Sequence, residues 1–199
     1  TKEFKAHSIC KCVPTLPQTL EVLIGGEDKE FGVAMSHTLD EKLRLDLKRH
    51  EWYVFDENYG TDQEKLFIQF IRNSIDDLKK KYTDIYLLRN EKLFKIYRFS
   101  DGKAIEPDFV LFMTEKEGGQ QISYQLFIEP KGQHLIKNDQ WKEDFLKEIE
   151  SKYQLEPLYE CDKFKIVGMP FYNEENKKEE FTKTFTKKVL SKQNGPVRR

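Results

Sequence analysis

Residues 105–133 read I-E-P-D-F-V-L-F-M-T-E-K-E-G-G-Q-Q-I-S-Y-Q-L-F-I-E-P-K-G-Q, and this stretch decides the fold. Two apolar runs of strand length flank Glu117, Gly118, Gly119 and Gln120, a turn-forming break, so the stretch predicts a β-hairpin. An antiparallel pair closed there brings the start of the first strand beside the end of the second. Pro107 and Asp108 then lie next to Glu129, Pro130 and Lys131. Two carboxylates and one ammonium converge at one end of a sheet.

Outward from the hairpin, residues 61–81 predict a helix that begins at Thr61 or Asp62, with acids in its first turn. Phe67, Ile68, Ile71, Ile75 and Leu78 repeat at threes and fours, the spacing of one helical face. Glu64 stands three before Phe67, four before Ile68 and seven before Ile71, so it belongs to that apolar stripe. Two readings stay open for it: a first-turn acid that complements the helix dipole, or a third acid leaning toward Asp108 and Glu129.

Residues 84–99 alternate and predict a second hairpin turning at Asn90 and Glu91. Residues 139–153 predict a helix with Trp141, Phe145, Leu146 and Ile149 on one side, and residues 164–169 a short strand. Phe181, Phe185 and Val189 recur at fours in a charged segment, which predicts a C-terminal amphipathic helix over 174–192. Residues 19–35 suggest a peripheral hairpin around Gly25 and Gly26, and leucines 39, 43, 45 and 47 a weak helix. Two prolines in residues 1–18 favour an extended incoming linker. The organisation expected is one domain over 19–199 with its core at about 55–170. The fold class is α/β (α+β), a central mixed β-sheet flanked by helices.

The composition, 38% hydrophobic and 35% charged with 15 Phe and 9 Tyr, suits a soluble globular chain with large core side chains. No apolar run approaches the roughly 20 residues that cross a bilayer. A cytoplasmic location without membrane contact is expected. Three cysteines point to a reducing compartment, and Cys10 and Cys12 read as bystander thiols. The chain starts at Thr1, which suggests a fragment or processed chain. A net charge of −1 means that nucleic-acid binding would depend on local charge. There is no G-x-x-x-x-G-K-[ST] loop for ATP, and no repeat of 20–50 residues.

Glu129 and Lys131 are two apart, so on a strand they share a face. Pro130 donates no hydrogen bond, so the ladder is interrupted or ending there and its carbonyl is left over. Two hard oxygen donors suit Mg²⁺, with Mn²⁺ as substitute. Such a cation activates water and steadies charge on a phosphate, while a neighbouring lysine orients the attacking water. The plain alternative is a cross-strand salt bridge on a solvated sheet end. A paired-carboxylate glycosidase is a weaker rival, because of Lys131. Charges that cap two buried strands cost more than surface charges, which favours a functional cluster.

P-D followed 21 residues after its Asp by E-x-K resembles the PD-(D/E)XK nuclease motif. The ordered set Y-G-T-D-Q-E-K-L-F-I-Q-F-I, I-E-P-D-F-V-L-F, F-I-E-P-K-G and D-Q-W-K-E-D-F-L is similar to the C-terminal endonuclease domain of type III restriction enzyme Res subunits, over roughly residues 55–170. That resemblance implies a metal-dependent DNA endonuclease domain acting on double-stranded DNA. Asp108, Glu129 and the Pro130 carbonyl would bind the metal, Lys131 would act on the water, and Glu64 would be an added helix acid. It further implies an ATP-driven helicase-like motor earlier in the polypeptide and a methyltransferase (Mod) subunit as partner. Among the basic residues, Lys142, next to Trp141, is the chosen DNA contact. Gln133 and His134 follow the motif closely enough to touch substrate. A non-catalytic DNA-binding or subunit-docking module on the same fold is the alternative.

Overall fold

The computed structural model describes residues 32–91, 95–98, 101–117, 120–152 and 162–191. Helix α1 spans Asp62–Lys79. It starts at Thr61 because a capping box forms there: the Thr61 hydroxyl accepts the Glu64 amide, and the Glu64 carboxylate accepts the Thr61 amide. The expected face is the buried one, with Phe67, Ile68, Ile71 and Leu78 fully enclosed and Ile75 packed at the margin.

Four strands make the main sheet: β1 (Asp84–Arg89), β4 (Phe109–Glu117), β5 (Gln120–Ile128) and β6 (Asp162–Gly168), in the order β1-β4-β5-β6. Strand β4 runs antiparallel to both β1 and β5, and β6 joins β5 in parallel. A parallel neighbour needs a crossover, and helix α3 (Gln140–Lys152), preceded by the single helical turn α2 (Gln133–Ile136), lies within it. The expected central mixed sheet with flanking helices is therefore present.

Side-chain alternation sends the two faces of the sheet to different partners. Phe109, Leu111 and Met113 of β4 and Ile122, Tyr124, Leu126 and Ile128 of β5 pack with α1 and the C-terminal segment. Val110 of β4 and Phe127 of β5 point the other way, onto Phe145, Leu146 and Ile149 of α3. Gly168 ends β6 so close to the Leu146 carbonyl that a Cβ would collide with main chain. On the α1 side, the Phe67 ring lies 5.2 Å from Phe109, 5.5 Å from Tyr172 and 6.0 Å from Phe181. Each such ring contributes about 2–3 kcal/mol through area removed from water.

The second hairpin differs from expectation. Strand β1 pairs with β4 from Asp84↔Thr114 to Arg89↔Phe109, and the described residues 95–98 do not pair with it. Alternation tells which residues face the core but not which strand lies alongside, and nine-residue β4 matches all six positions of β1. Among the described residues the small strands β2 (Ile96–Tyr97) and β3 (Ala104–Ile105) pair with each other, and Gly102, two residues before β3, takes φ 71°.

Residues 39–47 form no α-helix. Leu43, Leu45 and Leu47 are buried at a spacing of two in largely irregular chain, while Leu39 is 96% exposed. Residues 32–34 are not a strand, and a 3₁₀ turn follows at Met35–His37. The rest of the hairpin expected over 19–35, the linker over 1–18 with Cys10 and Cys12, and the tail beyond residue 191 lie outside the described residues. The C-terminal helix α4 is Lys178–Phe185, shorter than the predicted 174–192 and continued by a π-helical turn at Thr186–Leu190. Phe181, Phe185 and Val189 nevertheless enter the core, as do Met35, Leu45, Leu47, Trp52 and Tyr53. The core thus extends beyond 55–170 on both sides.

Candidate functional site: an acid and lysine cluster at the sheet end

The β4–β5 register pairs Phe109 with Ile128, so the next step sets Asp108 opposite Glu129. The hairpin does bring its charged ends together: the Asp108 amide donates to Glu129 Oε2 at 3.1 Å. Both residues continue the alternation of Val110 and Phe127, which turns them to the α3 face of the sheet. Glu129 is 3% exposed.

Pro130 marks a change of partner for the strand. The Tyr172 amide donates to the Glu129 carbonyl at 3.2 Å, and the Lys131 amide donates to the Tyr172 carbonyl at 2.8 Å. These bonds fall on either side of the proline, which supplies no donor. The Pro130 carbonyl receives no hydrogen bond among the described residues. Asn173 Nδ2 donates to the Lys131 carbonyl at 2.8 Å, so main chain on both sides of Pro130 is fixed by the 172–173 segment.

Lys131 Nζ lies 2.8 Å from Glu129 Oε1 and 3.0 Å from Asp139 Oδ2. Lys142 Nζ reaches the same Asp139 oxygen at 3.1 Å and stands 3.8 Å from Glu129 Oε1. Burial would lower the Lys131 pKa, but the Glu129 charge and the bonds to Glu129 and Asp139 raise it, and the net direction is upward. Burial works in the opposite sense on Asp139, yet its bonds to Lys131 and Lys142 hold its carboxyl below the usual range. Asp108 differs from both. Burial first, then the charges of Glu129 and Glu64, push it up to about 8 against the opposing pull of Lys131 and Arg89. Its carboxyl group has no hydrogen-bond or ion-pair partner among the described residues.

Glu64 arrives at this end of the sheet from the opposite face. Arg89 follows Ile85 and Leu87 on the α1 side of β1, and its Nε binds Glu64 Oε2 at 2.8 Å. Arg89 also holds Glu91 at 2.6 Å, and the two acids together carry its pKa above the ordinary value despite burial. Gly60 leaves the space that the Glu64 carboxylate fills. Glu64 therefore contributes to the field at Asp108 while its oxygens serve Thr61 and Arg89.

Of the expected DNA contacts, Lys142 is in the cluster itself. Gln133 and His134 are exposed on α2, and Gln133 Oε1 accepts from Asn176 Nδ2 at 2.6 Å. Sequence reasoning missed Asp139 and Arg89. Asp139 stands three before Lys142, a spacing that pairs charges at a helix start, and it was legible only as the first residue of a helix. Arg89 closes an alternating strand on its core-facing parity, where a charge requires a partner.

Among the described residues no three His, Cys, Asp or Glu side chains cluster closely enough to hold a metal ion. A cation here would rest on the Asp108 and Glu129 carboxylates, the Pro130 carbonyl and water. The donor chemistry fits a hard divalent ion: all are oxygens, and the Asp108 carboxyl has no bonded partner among the described residues to displace.

The family described as the HI_1054_C C-terminal domain matches residues 37–193. The chain belongs to this family. Within the HI_1054_C C-terminal-domain match lie all the residues of the cluster. An uncharacterized protein of Haemophilus influenzae is 41% identical over 149 residues, which cover 69% of this chain and 32% of that relative. The chain thus spans about a third of the length of the curated relative it matches. No solved structure matches the chain.

Proposed function

We propose that this domain is a metal-dependent deoxyribonuclease of the PD-(D/E)XK type. The observation that carries the reading is the placement of Asp108 opposite Glu129, with Lys131 bonded to Glu129 and no partner bonded to the Asp108 carboxyl among the described residues. The main sheet supports it: helix α1 precedes the antiparallel strands β1, β4 and β5, and helix α3 lies in the crossover to β6, which is parallel to β5. The two motif acids and the lysine lie at one end of the two central strands, β4 and β5.

Asp108, Glu129 and the Pro130 carbonyl would hold Mg²⁺, or Mn²⁺ in its place. The ion, when bound, would lower the pKa of a water and stabilise charge on the scissile phosphate. To hold the ion, Asp108 would have to be the carboxylate, its proton passing to solvent. With the ion bound, Lys131 would shift from Glu129 toward Asp139, leaving the Glu129 oxygen to the ion while its ammonium stays near the reacting phosphate to orient the water. Lys142 adds a second positive charge that a DNA backbone would meet. Glu64 acts at a distance by fixing Arg89 and the start of α1.

The type III restriction setting rests on the motif resemblance. In it the domain cuts double-stranded DNA under control of a helicase-like motor that consumes ATP and of a methyltransferase subunit that reads the sequence. Incubation of the protein with plasmid DNA and Mg²⁺ or Mn²⁺, alone and with motor and methyltransferase supplied, tests the reading. Cleavage that disappears in Asp108→Asn supports it. Undiminished cleavage by that variant, or no cleavage in the complete mixture, overturns it.

A further inference from the structure

Resting on the nuclease reading, we propose that Asp139 is a positioning residue that holds Lys142 off the metal-binding carboxylate and gives Lys131 a second anchor beside it. One oxygen, Asp139 Oδ2, receives Lys131 Nζ at 3.0 Å and Lys142 Nζ at 3.1 Å. The same two ammonium groups stand 2.8 and 3.8 Å from Glu129 Oε1. Two carboxylates and two ammonium groups therefore form one closed, alternating set of charges.

A divalent cation entering beside Asp108 needs the Glu129 oxygens and repels both ammonium groups. Glu129 is poorly placed to move, because its carbonyl accepts from Tyr172 and its Oε2 from the Asp108 amide. The lysines are the side chains that must shift, and Asp139 offers them an anchor they already touch. Asp139 is itself fixed: its amide donates to the Leu135 carbonyl at 3.0 Å, and its carbonyl accepts the Lys142 amide at 2.8 Å. Without its negative charge, Lys131 would have Glu129 as its remaining acid in the set and Lys142 would close from 3.8 Å onto the same oxygen, so that both compete with the cation. Lys142 is then a competitor for Glu129 only when Asp139 is gone.

The test is a double-mutant cycle read by calorimetric Mn²⁺ titration of the 199-residue chain. Asp139→Asn is expected to weaken Mn²⁺ binding by roughly ten- to a hundredfold, the usual cost of losing a partner that orients metal ligands. Lys142→Met alone should stay within about threefold of wild type, and adding it to Asp139→Asn should restore most of the loss. Circular dichroism of each variant confirms that it is folded. Strictly additive effects, as simple loss or gain of charge would give, overturn the proposal, as does an unchanged titration for Asp139→Asn. A wild-type chain that takes no Mn²⁺ sinks the metal reading and this inference together. Binding that shows the expected coupling without DNA cleavage in the complete mixture upholds the role of Asp139 and overturns the nuclease reading alone.

Discussion

The main-chain amide of Asp108 donates to Glu129 Oε2 at 3.1 Å, so the residue that opens one strand is tied to the carboxylate that closes its neighbour. This bond brings a second acid into the field of the first. Burial and the Glu129 charge then raise Asp108 to about 8, from an ordinary value of 3.8. The site holds a proton that a solvated aspartate would have lost.

That proton makes stability depend on pH. Between about pH 4 and pH 8 the folded chain binds more protons at Asp108 than the unfolded chain, so unfolding free energy falls as pH rises through this window. Asp108→Asn carries no such proton and should flatten the curve. At pH 9 and without divalent ions the variant should exceed wild type by about 2 kcal/mol, less than the full shift implies because Asp108 is partly exposed. Urea unfolding at pH 5 and pH 9 measures it. Equal slopes for the two proteins would remove the claim that Asp108 is held neutral.

Divalent ions should reverse that dependence. A cation that binds only the folded chain stabilises it by about 2.7 kcal/mol at a hundred times its dissociation constant. For a chain of this size, each kcal/mol corresponds to roughly 2–4 °C in Tm. Thermal melts with Mn²⁺ at pH 8 should therefore rise by about 5–10 °C, and Asp108→Asn should lose most of the gain. An equal rise in both proteins would place the ion elsewhere.

The sheet that carries this pair was readable because its hairpin has two long apolar runs, a Gly-Gly break and charged ends. The periodicity of Phe67, Ile68 and Ile71 likewise marked the α1 face that is buried. Strand pairing was less legible. Ile85 and Leu87 alternate whichever neighbour they have, and only the assembled sheet shows that β1 lies beside β4. Asp139 was hidden for a different reason: its partners Lys131 and Lys142 come from the strand end and the helix start, and the spacing to Lys131 has no local period. Leu43, Leu45 and Leu47 misled because irregular chain can bury alternate residues without joining a sheet.

Glu64 should behave as a structural acid. It is 7% exposed, closes the capping box with Thr61 and neutralises Arg89 at 2.8 Å. Glu64→Ala removes the cap and leaves a largely enclosed guanidinium with Glu91 alone, at a cost of about 2–4 kcal/mol. Chemical denaturation reads that loss. Mn²⁺ affinity of the still-folded variant should stay within about threefold of wild type, because the Glu64 oxygens are committed to Thr61 and Arg89. A loss of tenfold or more would make Glu64 a metal ligand instead.

Lys131 should separate metal binding from chemistry. Its ammonium is 2.8 Å from Glu129 Oε1, the oxygen a cation would claim, so Lys131→Met frees that oxygen and leaves Lys142 at 3.8 Å as the remaining cation near it. Mn²⁺ binding should be retained or strengthened. The group that orients water and meets the developing charge is gone, however, and DNA cleavage by the complete assembly should fall by about a hundredfold or more. Asp108→Asn should fail at both steps. Parallel titration and cleavage assays therefore give the two variants different signatures, and joint loss of metal binding in Lys131→Met would show that the lysine holds the carboxylates together and does not act on the substrate.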